Sequence, residues 1–120
     1  MRNNESKLQQ ACIKWFRLQY PHMANELFAI PNGGNRSPVT GAILKAEGVT
    51  AGVADLFLMT SRDYELCYYN GLFVEIKTET GRQQPSQKQF QSLCGQNGYR
   101  YVIVRSLDEF MAVIKNYLGY

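Results

Sequence analysis

Nothing in the chain approaches the roughly 18 consecutive apolar residues that a membrane span requires. Its opening, MRNNESKLQQ, lacks the apolar stretch of a secretory leader. These absences predict a protein of the cytoplasm or a nucleoid-like compartment, with no membrane partner. Cysteine is scarce: Cys12, Cys67 and Cys94 are odd in number, far apart, and in no CxxC or Cys/His spacing. That argues against a disulfide framework, and each lies in an apolar pattern that predicts a buried, reduced thiol. The single histidine, His22, follows Pro21 and reads as a surface or packing residue, not as a general base. No repeat, low-complexity tract or linker divides the 120 residues, so one domain spanning 1–120 is expected around one core.

What is present is the apolar content of a folded soluble domain, 45%, with a net charge of +3. A charge that mild is compatible with a nucleic-acid partner and does not require one. Asn3 or Asn4 is positioned to cap a first helix ending near Tyr20, with Leu8, Ala11, Cys12, Trp15 and Phe16 as its apolar stripe. LFAI at 27–30 reads as a short strand closed by PNGG, and SPVTGAILKAEG as a helix capped by Ser37. ADLFLM at 54–59 is an apolar strand. YELCYY and LFVEIKT flank Asn70-Gly71, which predicts a hairpin between them. A helix over 85–97, a strand over 99–104 and a helix opened by Ser106, with Glu109 in capping-box spacing, complete the chain. This order predicts an α/β fold with a mixed central sheet of four or five strands flanked by helices.

Charge interrupts the apolar pattern at a few positions. In LFVEIKT, Leu72, Val74 and Ile76 alternate with Phe73, Glu75 and Lys77, which puts two opposite charges on one face of a core strand. Asp55 heads the strand 54–59. Glu5 lies on the stripe of the first helix, seven residues before Cys12, and Gln87 precedes Phe90 by three on its own helix. If strands 54–59 and 72–78 run antiparallel, Asp55 comes beside Glu75 and Lys77. Carboxylates buried together repel, and a divalent cation with oxygen ligands resolves the repulsion. Lys77, one pleat away, would hold or activate an attacking water, making a centre for phosphodiester cleavage. The same spacing also fits an exposed Glu75–Lys77 ion pair beside a strand-start aspartate, with Glu5 and Gln87 as ordinary first-turn residues.

Over nearly its whole length the chain resembles the VRR-NUC domain, the virus-type replication-repair nuclease branch of the PD-(D/E)XK superfamily. ESKLQQACIKWFRLQYP, IPNGGNRS, LKAEGVTAGVADLFL, GLFVEIKTETGRQQPSQKQF and GYRYVIVRSLDEFMAVI carry the resemblance, in the family's order. It implies a restriction-endonuclease-like core and a nuclease dependent on Mg²⁺ or Mn²⁺. Asp55 and Glu75 match the direct metal ligands, the Ile76 carbonyl a further ligand, and Glu5 an outer ligand acting through water. Lys77 matches the lysine that positions the nucleophilic water, and Gln87 a supporting glutamine. One position departs from the family: the usual proline before the aspartate is Ala54, which removes no functional group. Stand-alone domains of this branch are similar to Holliday-junction resolvases, homodimers that cleave branched DNA, so branched or junction DNA and a second copy of the chain are the expected partners.

Asn32 and Arg36 in PNGGNR could donate to a phosphate, or the segment could be only a glycine turn, and the resemblance favours contact. Arg82 and Lys88 follow the charged strand and read as contacts to DNA phosphates, the favoured reading, or as ordinary solvated charges. Most tyrosines are expected in packing. Two other functions fit the same residues less well. A non-cleaving nucleic-acid-binding module would not need Lys77, and a sequence-specific restriction enzyme would need a recognition insertion for which the chain has no room.

Overall fold

The computed structural model describes residues 2–31, 37–64 and 66–120, the side chains of residues 2, 3 and 64 excepted. Helix α1 spans Arg2–Gln19 and passes through a 3-10 helix, Pro21–Glu26, into strand β1, Leu27–Ala29. Helix α2, Pro38–Ala46, leads to β2, Leu56–Leu58, then to β3, Arg62–Tyr64, and β4, Cys67–Tyr69. Strand β5, Leu72–Ile76, helix α3, Pro85–Gln96, strand β6, Arg100–Val104, and helix α4, Leu107–Leu118, follow. The main sheet has the order β1-β2-β5-β6, antiparallel except for the parallel β5–β6 pair that the α3 crossover requires.

The core lies on the face covered by α1 and α4. Cys12 and Phe16 from α1 and Phe110, Ile114 and Tyr117 from α4 close over Leu27, Leu56, Leu58, Leu72, Val74, Ile76 and Val104. At about 1.5–3 kcal/mol for each large side chain removed from water, this face supplies most of the fold's driving force. The Tyr117 hydroxyl is satisfied by donating to the Thr60 carbonyl at 2.7 Å. On the opposite face an aromatic row runs across the sheet, with Phe57 stacked on Phe73 at 4.5 Å and Phe73 edge-on to Phe90 of α3 at 5.0 Å. Helices therefore flank both faces, as the element order predicted.

Two expectations are corrected. The hairpin through Asn70-Gly71 does not form: β4 pairs with β3 in a separate two-stranded sheet, and β5 pairs with β2 and β6. Asn70 is held by a distant loop, its backbone N–H donating to the Gly98 carbonyl at 2.7 Å and its side chain to the Asn97 carbonyl at 2.8 Å. A Cβ on Gly71 would stand 2.8 Å from the Phe57 ring, so glycine serves close packing there and not a tight turn. The first helix already includes Asn3 and Asn4, so neither is its cap. Ser37 does cap α2, accepting from the Thr40 N–H at 3.1 Å, and Ser106 caps α4 through the Glu109 N–H at 3.1 Å.

Candidate active site

The antiparallel register sets Leu56 opposite Val74, which carries Asp55, one residue earlier, to the level of Glu75. Asp55 Oδ2 accepts the Ile76 N–H at 2.7 Å. Strand β2 has not yet begun at that level, so the carboxylate takes the place of a neighbouring strand and its rotamer is fixed by a backbone donor. An extended residue directs its carbonyl to the same side as its N–H, so the Ile76 carbonyl also emerges at this edge.

Glu75 and Lys77 are 4% and 8% exposed, the two buried charged residues among those described. Their charges approach at 3.9 Å, Lys77 Nζ to Glu75 Oε2. The alternative of an exposed ion pair is thereby excluded. Glu75 Oε2 also receives the Gln87 Nε2–H at 3.0 Å, whereas Oε1 is buried with no hydrogen-bond partner. Burial and the Asp55 carboxylate push the Glu75 pKa up to about 8, and Glu5 adds to the rise. Lys77 opposes it without cancelling it. An isolated ion pair would hold the carboxylate charged, so burial and the neighbouring acid outweigh the ammonium.

Gln87 reaches Glu75 because of how α3 begins. Pro85 occupies the first helical position, and Gln87 Oε1 accepts the Gln84 N–H at 2.7 Å in a reciprocal capping box. That bond orients the amide so that its NH₂ group faces Glu75. The loop before β2 packs on the same helix end: Gly52, at φ +92°, lies so close that a Cβ would overlap the Ser86 carbonyl. Glu5, near the start of α1, shares with Asp55 and Ile76 the lining of a cleft of about 630 Å³. Asp55, Glu75, Lys77 and Gln87 thus meet at one end of the sheet, and Glu5 approaches from the α1 side. Among the described residues no group of three or more His, Cys, Asp and Glu side chains is arranged to hold a metal by itself.

Arg82 and Lys88 are exposed, the first on the loop after β5 and the second in the first turn of α3. Asn32 and Arg36 lie outside the described residues. His22 is exposed, Cys12 and Cys94 are buried, and Cys67 is only half-buried, because β4 belongs to the outlying hairpin and not to the main sheet. Sequence reasoning missed Arg105, whose Nη1 donates to the Thr78 and Gly81 carbonyls at 2.7 and 2.5 Å and so closes the loop that follows Lys77. It also missed Tyr101, whose hydroxyl accepts from Gln83 at 3.3 Å and whose pKa burial pushes up to about 12. Neither carries a local signal, since each partner lies on another element.

The model of the VRR-NUC domain matches residues 3–108. The chain belongs to the VRR-NUC domain family. It is therefore a nuclease-type domain. A solved structure described as a "VRR_NUC domain protein" superposes with a TM-score of 0.81 at 25% identity, covering 96% of this chain and 88% of that one. The fold is accordingly the mixed, helix-flanked sheet of the PD-(D/E)XK type. No curated protein matches the chain. No described helix is long and apolar enough to cross a membrane.

Proposed function

We propose that this VRR-NUC domain is a divalent-metal-dependent DNA endonuclease. The observation that carries it is the half-buried Asp55 beside the buried Glu75, with Glu75 Oε1 left without a hydrogen-bond partner and Lys77 alongside. Two neighbouring carboxylates, one of them held protonated near neutral pH by burial and by the other's charge, suit a hard cation with oxygen ligands. Mg²⁺ takes one or two carboxylates and keeps several waters, so Asp55 and Glu75, with the Ile76 carbonyl, would hold it, and Glu5 would contribute through water. The chemistry that Mg²⁺ or Mn²⁺ supplies in this place is positive charge against the scissile phosphate and a more acidic water.

The chain's own residues do the rest. Asp55, pinned by the Ile76 N–H, presents its remaining lone pairs in a fixed direction. Gln87 and Lys77 share Glu75 Oε2 and leave Oε1 for a ligand. Lys77, buried beside Glu75, orients the attacking water and stabilises the negative charge developing on the phosphoryl oxygens. Water adds across one P–O bond, and the departing alkoxide takes up a proton to leave an alcohol and a phosphate monoester. Arg82 and Lys88, exposed just beyond β5, contact the flanking phosphates.

The substrate is branched or junction DNA, cut by a homodimer. Helix α2 supports a second copy: none of its residues is buried, and its apolar Val39 and Ile43 are 70% and 54% exposed. A two-fold dimer presents two equivalent centres to the two-fold-related strands of a four-way junction. Cleavage of labelled single-stranded, duplex, flap and four-way DNA, with Mg²⁺, with Mn²⁺ and with EDTA, tests this. Glu75→Ala and Lys77→Ala should each lower the rate by roughly 10²–10³-fold or more while the protein stays folded and binds DNA. Metal-dependent cleavage surviving either change would refute the assigned roles. Binding without cleavage by the unaltered protein would instead favour the non-cleaving nucleic-acid module.

A further inference from the structure

The cleft that opens at Glu5, Asp55 and Ile76 does not end there. It continues along α1, between that helix and the β1 edge of the sheet, as far as Arg17 and Leu18. From Glu5 to Arg17 is about 18 Å of helix at a rise of about 1.5 Å per residue. Charge is graded along it: carboxylates stand at the sheet-end mouth, and Lys14 and Arg17 at the far end, both exposed and neither ion-paired to a described residue. Ile13 from α1, Ala29 at the end of β1, and Ile30 and Pro31 just beyond it form an aliphatic floor. Gln9 and Gln10 line the α1 side between the two ends, with Gln10 tethered to Ser6 at 3.1 Å.

We infer that this groove binds an unpaired flank of the DNA substrate, leading a single strand away from the scissile phosphate. The inference rests on the nuclease reading above. A cleft of about 630 Å³ has the dimensions of a few nucleotides, not of a duplex face. At the stacked rise of about 3.4 Å per nucleotide, its length spans on the order of five. A duplex offers a protein surface only phosphates and groove edges. A single strand also offers base faces, which an apolar floor accepts, and unpaired edges, which amide side chains can read without strict sequence preference. Lys14 and Arg17 take the backbone phosphates at the far end. The acidic mouth repels the backbone and Lys14 and Arg17 attract it, which gives the strand one direction in which to lie, with or without metal.

The test is binding of duplexes that are blunt or carry a single-stranded tail on either strand, measured by fluorescence anisotropy in EDTA. Wild type is compared with the Lys14→Ala/Arg17→Ala double variant, whose changes are exposed and helix-compatible. Wild type should prefer tailed DNA. The variant should lose about tenfold or more on it, show a salt slope lower by roughly one to two, and bind blunt duplex as before. The groove proposal is overturned if wild type shows no preference for tails or the variant retains it. It is equally overturned if sedimentation shows that the double change splits a dimer and leaves tail preference intact, since the groove is then an interface between copies. Cleavage with Mg²⁺ or Mn²⁺ is scored on the same substrates. Tail preference without any cleavage would sink the nuclease reading and leave the groove standing, and cleavage unaffected by tails would do the reverse.

Discussion

Gln87 makes two opposed hydrogen bonds: its carbonyl oxygen closes the first turn of α3 on the Gln84 N–H, and its NH₂ group holds Glu75 Oε2 at 3.0 Å. One amide thus ties helix capping to the geometry of the acidic pair. The bond to Gln84 forbids the flipped amide, which would set an oxygen against a carboxylate.

Substitution separates the two functions. Gln87→Glu keeps an acceptor for the cap and replaces the donor with a second anion. Gln87→Ala removes both. Each should lower metal-supported cleavage by about 10–100-fold, as is usual for groups that orient a metal ligand. Only Gln87→Ala should also lose cap stability, on the order of 1 kcal/mol. Cleavage rates across a metal titration, read beside thermal melts, distinguish the two variants.

Glu75 makes the metal-free fold sensitive to alkali. Its pKa rises from 4.5 to about 8 on folding, so between those values the folded state keeps a proton that the unfolded state has lost. Stability is therefore greatest below the lower value and declines as pH climbs towards the upper one. Melts in EDTA should show Tm falling from pH 5 to pH 8, and Glu75→Gln should flatten that slope and raise Tm at the alkaline end. Metal binding at pH 7 should release a proton, detectable as a buffer-dependent heat by calorimetry.

Gly52 tolerates no side chain. Its φ of +92° and the adjacent Ser86 carbonyl leave no space for a Cβ. Gly52→Ala should cost roughly 1–3 kcal/mol in urea unfolding by forcing the α3 N-terminus away from the loop before Asp55. Because that displacement carries Gln87 with it, cleavage should fall even under conditions where the variant is fully folded.

The three thiols should differ in reactivity. Burial pushes Cys12 and Cys94 up to about 12 and about 11, so neither offers thiolate at pH 8. Cys67 is half-buried on the outlying hairpin. Alkylation of the native protein should modify one cysteine rapidly, at Cys67 by peptide mass mapping, and three only after denaturation.

The failed hairpin shows where local signals stop. Asn70-Gly71 has the composition of a tight turn, yet β4 pairs with β3, and β5 is taken by β2 and β6. Turn propensity is worth less than the burial of Leu72, Val74 and Ile76 between two strands, so the longer-range pairing wins. Asp55 was legible for the opposite reason. Once β2 and β5 are antiparallel, the two-residue period of a strand dictates which residues share a face, and apolar partners such as Leu56 and Val74 fix the register.

By itself, then, the chain determined most of the elements, the alternation that sets Glu75 and Lys77 on one face of a strand, and the family order of its motifs, because each follows from residue type and near-neighbour spacing. Tertiary structure alone decided that Gln87 clamps Glu75, that Arg105 closes the loop after Lys77, and that a graded groove runs beside α1. Those depend on how distant elements dock, and docking is set by the whole core's packing, which no short stretch of residues encodes.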